Sequence, residues 1–137
     1  SLEEAPQVEV CRDFRLPRYV GPDTLVLACS YSGNTAETLA AFKQARAQEA
    51  KLVVVTRGGL LGMEAEKFGL PRFTINYEGE PRSAIGYSFL VPLRIMSNLD
   101  LIPTKSEDVA EAVEVCGQLT QKLGTSIPTE RRSTPER

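Results

Sequence analysis

The chain has 137 residues, enough for one domain with a buried core, and carries 16 basic against 18 acidic residues for a net charge of −2. Acids and bases are mixed along its length, which gives no electrostatic footprint for nucleic acid or an anionic membrane, and the apolar runs are far too short to span a bilayer. Histidine is absent, which removes the commonest general acid/base and metal ligand, and no carboxylate or thiol spacing supports a metal site.

Taken in chain order, Val8-Glu9-Val10-Cys11 alternates and predicts a short strand. Residues 12–24 carry Pro17, Gly21 and Pro22 and read as connection. Leu25 to Cys29 is a continuous apolar run, the pattern of a parallel strand covered on both faces. Ala36 to Ala50 predicts a helix that turns Leu39, Phe42 and Ala45 toward the sheet. Leu52-Val53-Val54-Val55 is a β-branched strand, and Thr56-Arg57-Gly58-Gly59 turns out of it. A short helix over Leu61 to Phe68 stops at Gly69, and Phe73-Thr74-Ile75 is a further strand.

Residues 77–83 form a polar loop. Ile85, Phe89, Leu93, Met96 and Leu99 then follow helical spacing, with Pro92 inside to kink or split the helix. Ser106 caps a last helix with an apolar stripe of Val109, Val113, Cys116, Leu119 and Leu123, ended by Gly124. Residues 125–137 read as a linker. The three cysteines, Cys11, Cys29 and Cys116, are widely spaced and form no Cys-x-x-Cys pair, the pattern of buried free thiols in a reducing cytosol. The order of elements predicts an α/β fold with an open, mainly parallel sheet and helices on both faces.

Ser30-Tyr31-Ser32-Gly33-Asn34-Thr35 carries the chemistry. It joins an apolar strand to a helix, so the hydroxyls of Ser30, Ser32 and Thr35 and the pair Gly33-Asn34 meet free N–H groups at the positive end of a helix dipole. That arrangement suits a phosphate. No P-loop lysine and no Gly-x-Gly-x-x-Gly are present, so a monophosphate fits better than a nucleotide. The same residues also fit an ordinary helix start with Asn34 as N-cap and Glu37 at N3, and both readings stand at this point. Ligands of open α/β sheets bind beyond the carboxyl ends of strands, where this turn and Thr56 to Gly59 both lie.

Together with Cys11-Arg12-Asp13-Phe14-Arg15-Leu16-Pro17, Thr56-Arg57-Gly58-Gly59 and Pro81-Arg82-Ser83-Ala84, the hydroxyl turn resembles a sugar isomerase (SIS) domain of flavodoxin-like type. The closest family is the bifunctional phosphoglucose/phosphomannose isomerases. The resemblance implies that Ser30, Ser32 and Thr35 bind the phosphate of a sugar 6-phosphate with Gly33 and Asn34 completing the turn. It implies that Arg82 is the active-site arginine, and that Thr56 and Gly58 shape the pocket wall; for the last two a plain strand-to-helix turn is the other reading. The implied reaction moves a proton between C1 and C2 through a cis-enediol, without metal or cofactor. A non-catalytic phosphosugar-binding SIS module of a regulator is the alternative.

The family's glutamate base and ring-opening histidine have no matching motif here, and Glu37, Glu78 and Glu80 are not supported as substitutes. The expectation is therefore a fragment. Residues 1–124 would be a partial SIS domain lacking its first central strand, which would lie between the strands starting near Val8 and Thr24. Residues 125–137 would lead toward a second SIS domain of the same cytoplasmic chain, in a homodimer. Neither nucleic acid nor membrane is an expected partner.

Overall fold

The computed structural model describes residues 6–80, 84–103 and 106–123. Among the described residues these strands and α-helices follow one another: β1 (Leu25–Ser30), α1 (Ala36–Ala47), β2 (Lys51–Thr56), α2 (Gly59–Lys67), β3 (Arg72–Thr74), α3 (Ile85–Asn98) and α4 (Ser106–Leu123). The chain divides into two compact units, Ser1–Ile102 and Pro103–Arg137.

In the first unit the strands form one parallel sheet in the order β1-β2-β3. Leu25 pairs with Lys51 and the register runs unbroken to Ser30 and Thr56, while Val54 to Thr56 pair with Arg72 to Thr74. Parallel neighbours require crossover connections, and α1 and α2 supply them. Alternation along the strands sends side chains to two different layers. Ala28, Leu52 and Val54 join Phe42 and Ala45 of α1 and Leu61 and Ala65 of α2 in the larger core. Val55 points the other way and meets Ile75 and Val91 of α3. Helices therefore lie on both faces of an open parallel sheet, as the sequence pattern predicts. Each large apolar side chain fully buried in this way contributes roughly 1.5–3 kcal/mol.

Both crossover helices end in a left-handed residue that turns the chain back toward the sheet. Glu49 has φ 59° and Gly69 has φ 61°. The next amides, of Ala50 and Leu70, each bond a carbonyl in the last turn, Ala45 and Ala65, at 2.9 Å. This reversal stops α1 at Ala47 rather than Ala50, because Lys51 must already enter β2. Beside it the Arg46 guanidinium lies 3.2 Å from the centre of the Phe68 ring and ties the two helix ends together.

Several expectations change. Residues 8–11 form no strand; Val8 and Val10 are 65% and 75% exposed, because no described strand lies beside them to pair with. Pro92 does not split its helix, which stays continuous from Ile85 to Asn98 with Val91 buried against the sheet. Ser106 is already helical rather than a cap. The cysteines are free but exposed. Cys29 lies on the α3 face of β1, where α3 covers the neighbouring Val55 and leaves Cys29 open. Atoms packed around its thiol still raise its pKa above the usual cysteine value by desolvation. In the second unit α4 carries acidic residues Glu107 and Asp108 in its first turn, where they favour the dipole. Its Val113 and Leu119 are exposed. No described helix is long and apolar enough to cross a membrane.

Candidate functional site

The carboxyl ends of β1 and β2 lie side by side, and their turns interlock. One residue past the strands, the Arg57 amide still bonds the Tyr31 carbonyl at 3.0 Å. Gly33 then takes φ 73° and Gly59 φ 64°, so that the two backbones touch. A Cβ on Gly33 would stand 1.8 Å from the Gly58 carbonyl oxygen, and one on Gly59 would stand 2.3 Å from that of Ser32. Only glycine combines this conformation with this approach.

Hydrogen bonds divide the labour within the turn. Ser30 is buried; its Oγ accepts from the Gly33 amide at 3.1 Å and meets Thr35 Oγ1 at 2.8 Å. With Ser30 as donor in that pair, Thr35 keeps its own hydrogen for a group outside the protein. Ser32 Oγ accepts from the Asn34 amide at 3.2 Å and is exposed. Asn34 turns away from its own helix. Its Oδ1 accepts from the Leu60 amide at 3.0 Å, and the Gly33 carbonyl accepts from Leu61 at 2.9 Å. The hydroxyl turn thus caps α2 rather than α1.

The expected N-cap role of Asn34 on α1 is therefore corrected. Thr35, not Asn34, is the N-cap of α1, and no side chain bonds the helix there. Among the described residues nothing accepts from the amides of Ala36, Glu37 and Thr38, and the first backbone bond of the helix runs from Leu39 to Thr35 at 3.0 Å. The exposed residues Ser32 and Thr35 and three open N–H groups therefore lie at the positive end of α1, an arrangement chemically suited to an oxyanion. Glu37 remains in the first turn of α1.

Thr56, expected at the pocket wall, is fully buried. Its hydroxyl donates to the Gly58 carbonyl at 3.0 Å and accepts from the Gly58 amide at 3.2 Å, which braces the second turn from behind. Gly58 is half-buried. Arg82 lies outside the described residues. Before it, residues Ile75 to Glu78 follow β3 and line an open depression of about 360 Å³ together with Arg57 and Thr74. Arg57 and Glu78 approach to 3.5 Å as an exposed ion pair. Among the described residues no cluster of carboxylates and thiols is arranged to hold a metal.

Tyr31 is the residue that sequence reasoning passed over. It is half-buried, packs edge-on to Tyr77 at 6.5 Å, and donates its hydroxyl toward the carbonyls of Tyr77 and Gly79, each at 2.9 Å. An aromatic residue between two serines in a turn was the available signal.

No family model matches the chain. Among curated proteins it is similar to a bifunctional phosphoglucose/phosphomannose isomerase of Caldicellulosiruptor bescii, with 43% identity over 90% of this chain and 37% of that protein. A protein of the same name from Thermoplasma acidophilum is 34% identical over the whole of this chain and 45% of its own length. A D-glucosamine-6-phosphate 4-epimerase of Sulfolobus acidocaldarius is 32% identical over 79% of this chain and 36% of that protein. The chain thus spans less than half the length of each of these relatives.

Proposed function

We propose that this chain is the phosphate-holding part of an SIS-type aldose-ketose isomerase that interconverts glucose 6-phosphate or mannose 6-phosphate with fructose 6-phosphate. The observation that carries this reading is the open N-terminus of α1, where Ser32, Thr35 and three unpaired amides converge while the turn's other polar groups are spent on its own architecture. Relatives named as phosphoglucose/phosphomannose isomerases supply the chemical class.

In this reading the phosphate anchors the sugar, and its binding energy holds C1 and C2 in place for proton transfer through a cis-enediol. Arg82 stabilises the negative charge that develops on the enediolate oxygen. The base and the ring-opening acid come from outside these residues, from a second SIS domain in a cytoplasmic homodimer. Arg82→Ala in the full-length protein is expected to lower kcat on the order of 10²-fold with a much smaller rise in KM, because the charge exists mainly in the transition state. Arg82→Lys restores part of the rate, since lysine lacks the planar fork. Steady-state kinetics of both variants check this, and near-normal turnover by Arg82→Ala returns the residue to the surface.

The relative named as a 4-epimerase favours a second reading, in which the same phosphate site serves an epimerisation of glucosamine 6-phosphate. A coupled assay on the full-length protein separates the possibilities. Conversion of both glucose 6-phosphate and mannose 6-phosphate to fructose 6-phosphate supports the isomerase. Turnover of glucosamine 6-phosphate alone supports the epimerase. Tight binding of fructose 6-phosphate without turnover of any of these substrates supports a regulatory module.

A further inference from the structure

We infer that Tyr31 is a positioning residue that couples occupation of the hydroxyl turn to the segment 77–80 on the opposite face of the sheet. The inference deepens the proposed function and rests on it for its catalytic consequence, while the coupling itself stands on geometry alone.

Tyr31 belongs to both places at once. Its backbone lies between Ser30 and Ser32, and its carbonyl is fixed by the Arg57 amide at 3.0 Å. Its ring joins the smaller core formed by Val55, Ile75 and Val91, on the side of the sheet away from α1 and α2. There its hydroxyl reaches the carbonyls of Tyr77 and Gly79, both at 2.9 Å. A phenol has one hydrogen, so the two carbonyls share it in a three-centre bond. The segment around it is exposed at Glu78, Gly79 and Glu80. Two further ties, at Glu78 and at the Tyr77 ring, are weaker or more local. The Arg57–Glu78 pair is 3.5 Å long with both side chains in solvent, a geometry that contributes little. The Tyr77 ring tilts against Tyr87 of α3 at 6.1 Å, which anchors the ring but not the carbonyls beyond it. Tyr31 therefore joins the hydroxyl turn directly to the backbone at residues 77 and 79.

An anion drawn onto Ser32, Thr35 and the α1 amides fixes the backbone of residues 30–35, and with it the place from which the Tyr31 ring projects. The phenol then holds carbonyls 77 and 79 in one position. Pro81 and Arg82 follow directly in sequence. A bound phosphate thereby prepares the segment that leads to the arginine, and loss of the phenolic hydroxyl uncouples binding from turnover.

The test uses the full-length protein and Tyr31→Phe, which keeps the ring and its packing. Fructose 6-phosphate is the probe. Cleavage of the Glu78–Gly79 bond by a glutamate-specific protease, followed by mass spectrometry, reports release of the segment. Without ligand, Tyr31→Phe is expected to be cut roughly three- to tenfold faster than wild type, the equivalent of one neutral hydrogen bond. Fructose 6-phosphate slows cleavage of wild type and fails to slow that of the variant, although both bind it with affinities within about twofold of each other. In steady state kcat falls by roughly three- to tenfold while KM stays within about twofold, a split that general destabilisation would not produce. Equal cleavage of the two proteins without ligand overturns the latch, and equal protection by fructose 6-phosphate overturns the coupling. A wild-type protein that binds fructose 6-phosphate, is protected by it, and turns over no sugar phosphate instead overturns the isomerase reading and leaves the latch standing.

Discussion

Gly33→Ala is expected to destabilise the protein by roughly 2–5 kcal/mol, the sum of a left-handed backbone cost and a steric clash in a packed turn. The new Cβ would lie 1.8 Å from the Gly58 carbonyl oxygen and 2.9 Å from Thr56 Oγ1. Neither can retreat freely. Gly58 is held from both sides by the Thr56 hydroxyl, and Thr56 is fully buried in the second strand. The built-in control is Gly69→Ala. Gly69 has a similar φ of 61°, but nothing lies within 4 Å of the position its Cβ would take. That variant loses only the conformational component, about 1 kcal/mol. Urea unfolding of the full-length protein and both variants gives the difference directly. Equal costs at the two positions would mean that the turns of β1 and β2 are not interlocked as described.

Removing both exposed hydroxyls, in Ser32→Ala/Thr35→Ala, is expected to weaken binding of fructose 6-phosphate by roughly 3–6 kcal/mol if each charged hydrogen bond contributes about 1.5–3 kcal/mol. Calorimetric titration of the full-length protein measures it. Ser30 is unsuited to this test, because its buried Oγ accepts from the Gly33 amide and its loss would damage the turn itself. Among the described residues the Ser32 hydroxyl bonds the Asn34 amide and the Thr35 hydroxyl meets that of Ser30, so removing these hydroxyls leaves the interlock of Gly33 and Gly59 in place. Unchanged affinity in the double variant would remove these hydroxyls from the phosphate site.

The strands and helices around the site were legible because each obeys one periodicity and one burial rule. Leu52 to Val55 is apolar and β-branched throughout, and it became the middle strand of the sheet, covered on both sides. Val8 to Cys11 alternates apolar and polar residues and formed no strand. Alternation makes a strand possible, while hydrogen-bonding neighbours make it stable, and nothing in four residues reveals who the neighbour is. The hydroxyl turn was legible as a strand-to-helix turn rich in donors. The use of Asn34 was not. Local spacing assigned it to the helix that follows, whereas it caps α2, 26 residues away. Such a bond depends on how two turns are brought together by the register of β1 on β2. The Tyr31 contacts are of the same kind, reaching 46 and 48 residues along the chain. Long-range polar contacts of this sort leave no periodic trace in the sequence.

The central claim is that a sugar phosphate is held at the start of α1. A backbone NMR titration of the full-length protein, with fructose 6-phosphate in one series and fructose in the other, tests it most directly. The account predicts saturable shifts that are largest at the amides of Ala36, Glu37 and Thr38, the same shifts in weaker form with inorganic phosphate, and none with fructose. Saturable shifts centred on Leu60 and Leu61 of α2, or shifts with fructose 6-phosphate that leave the α1 amides unmoved, would contradict it.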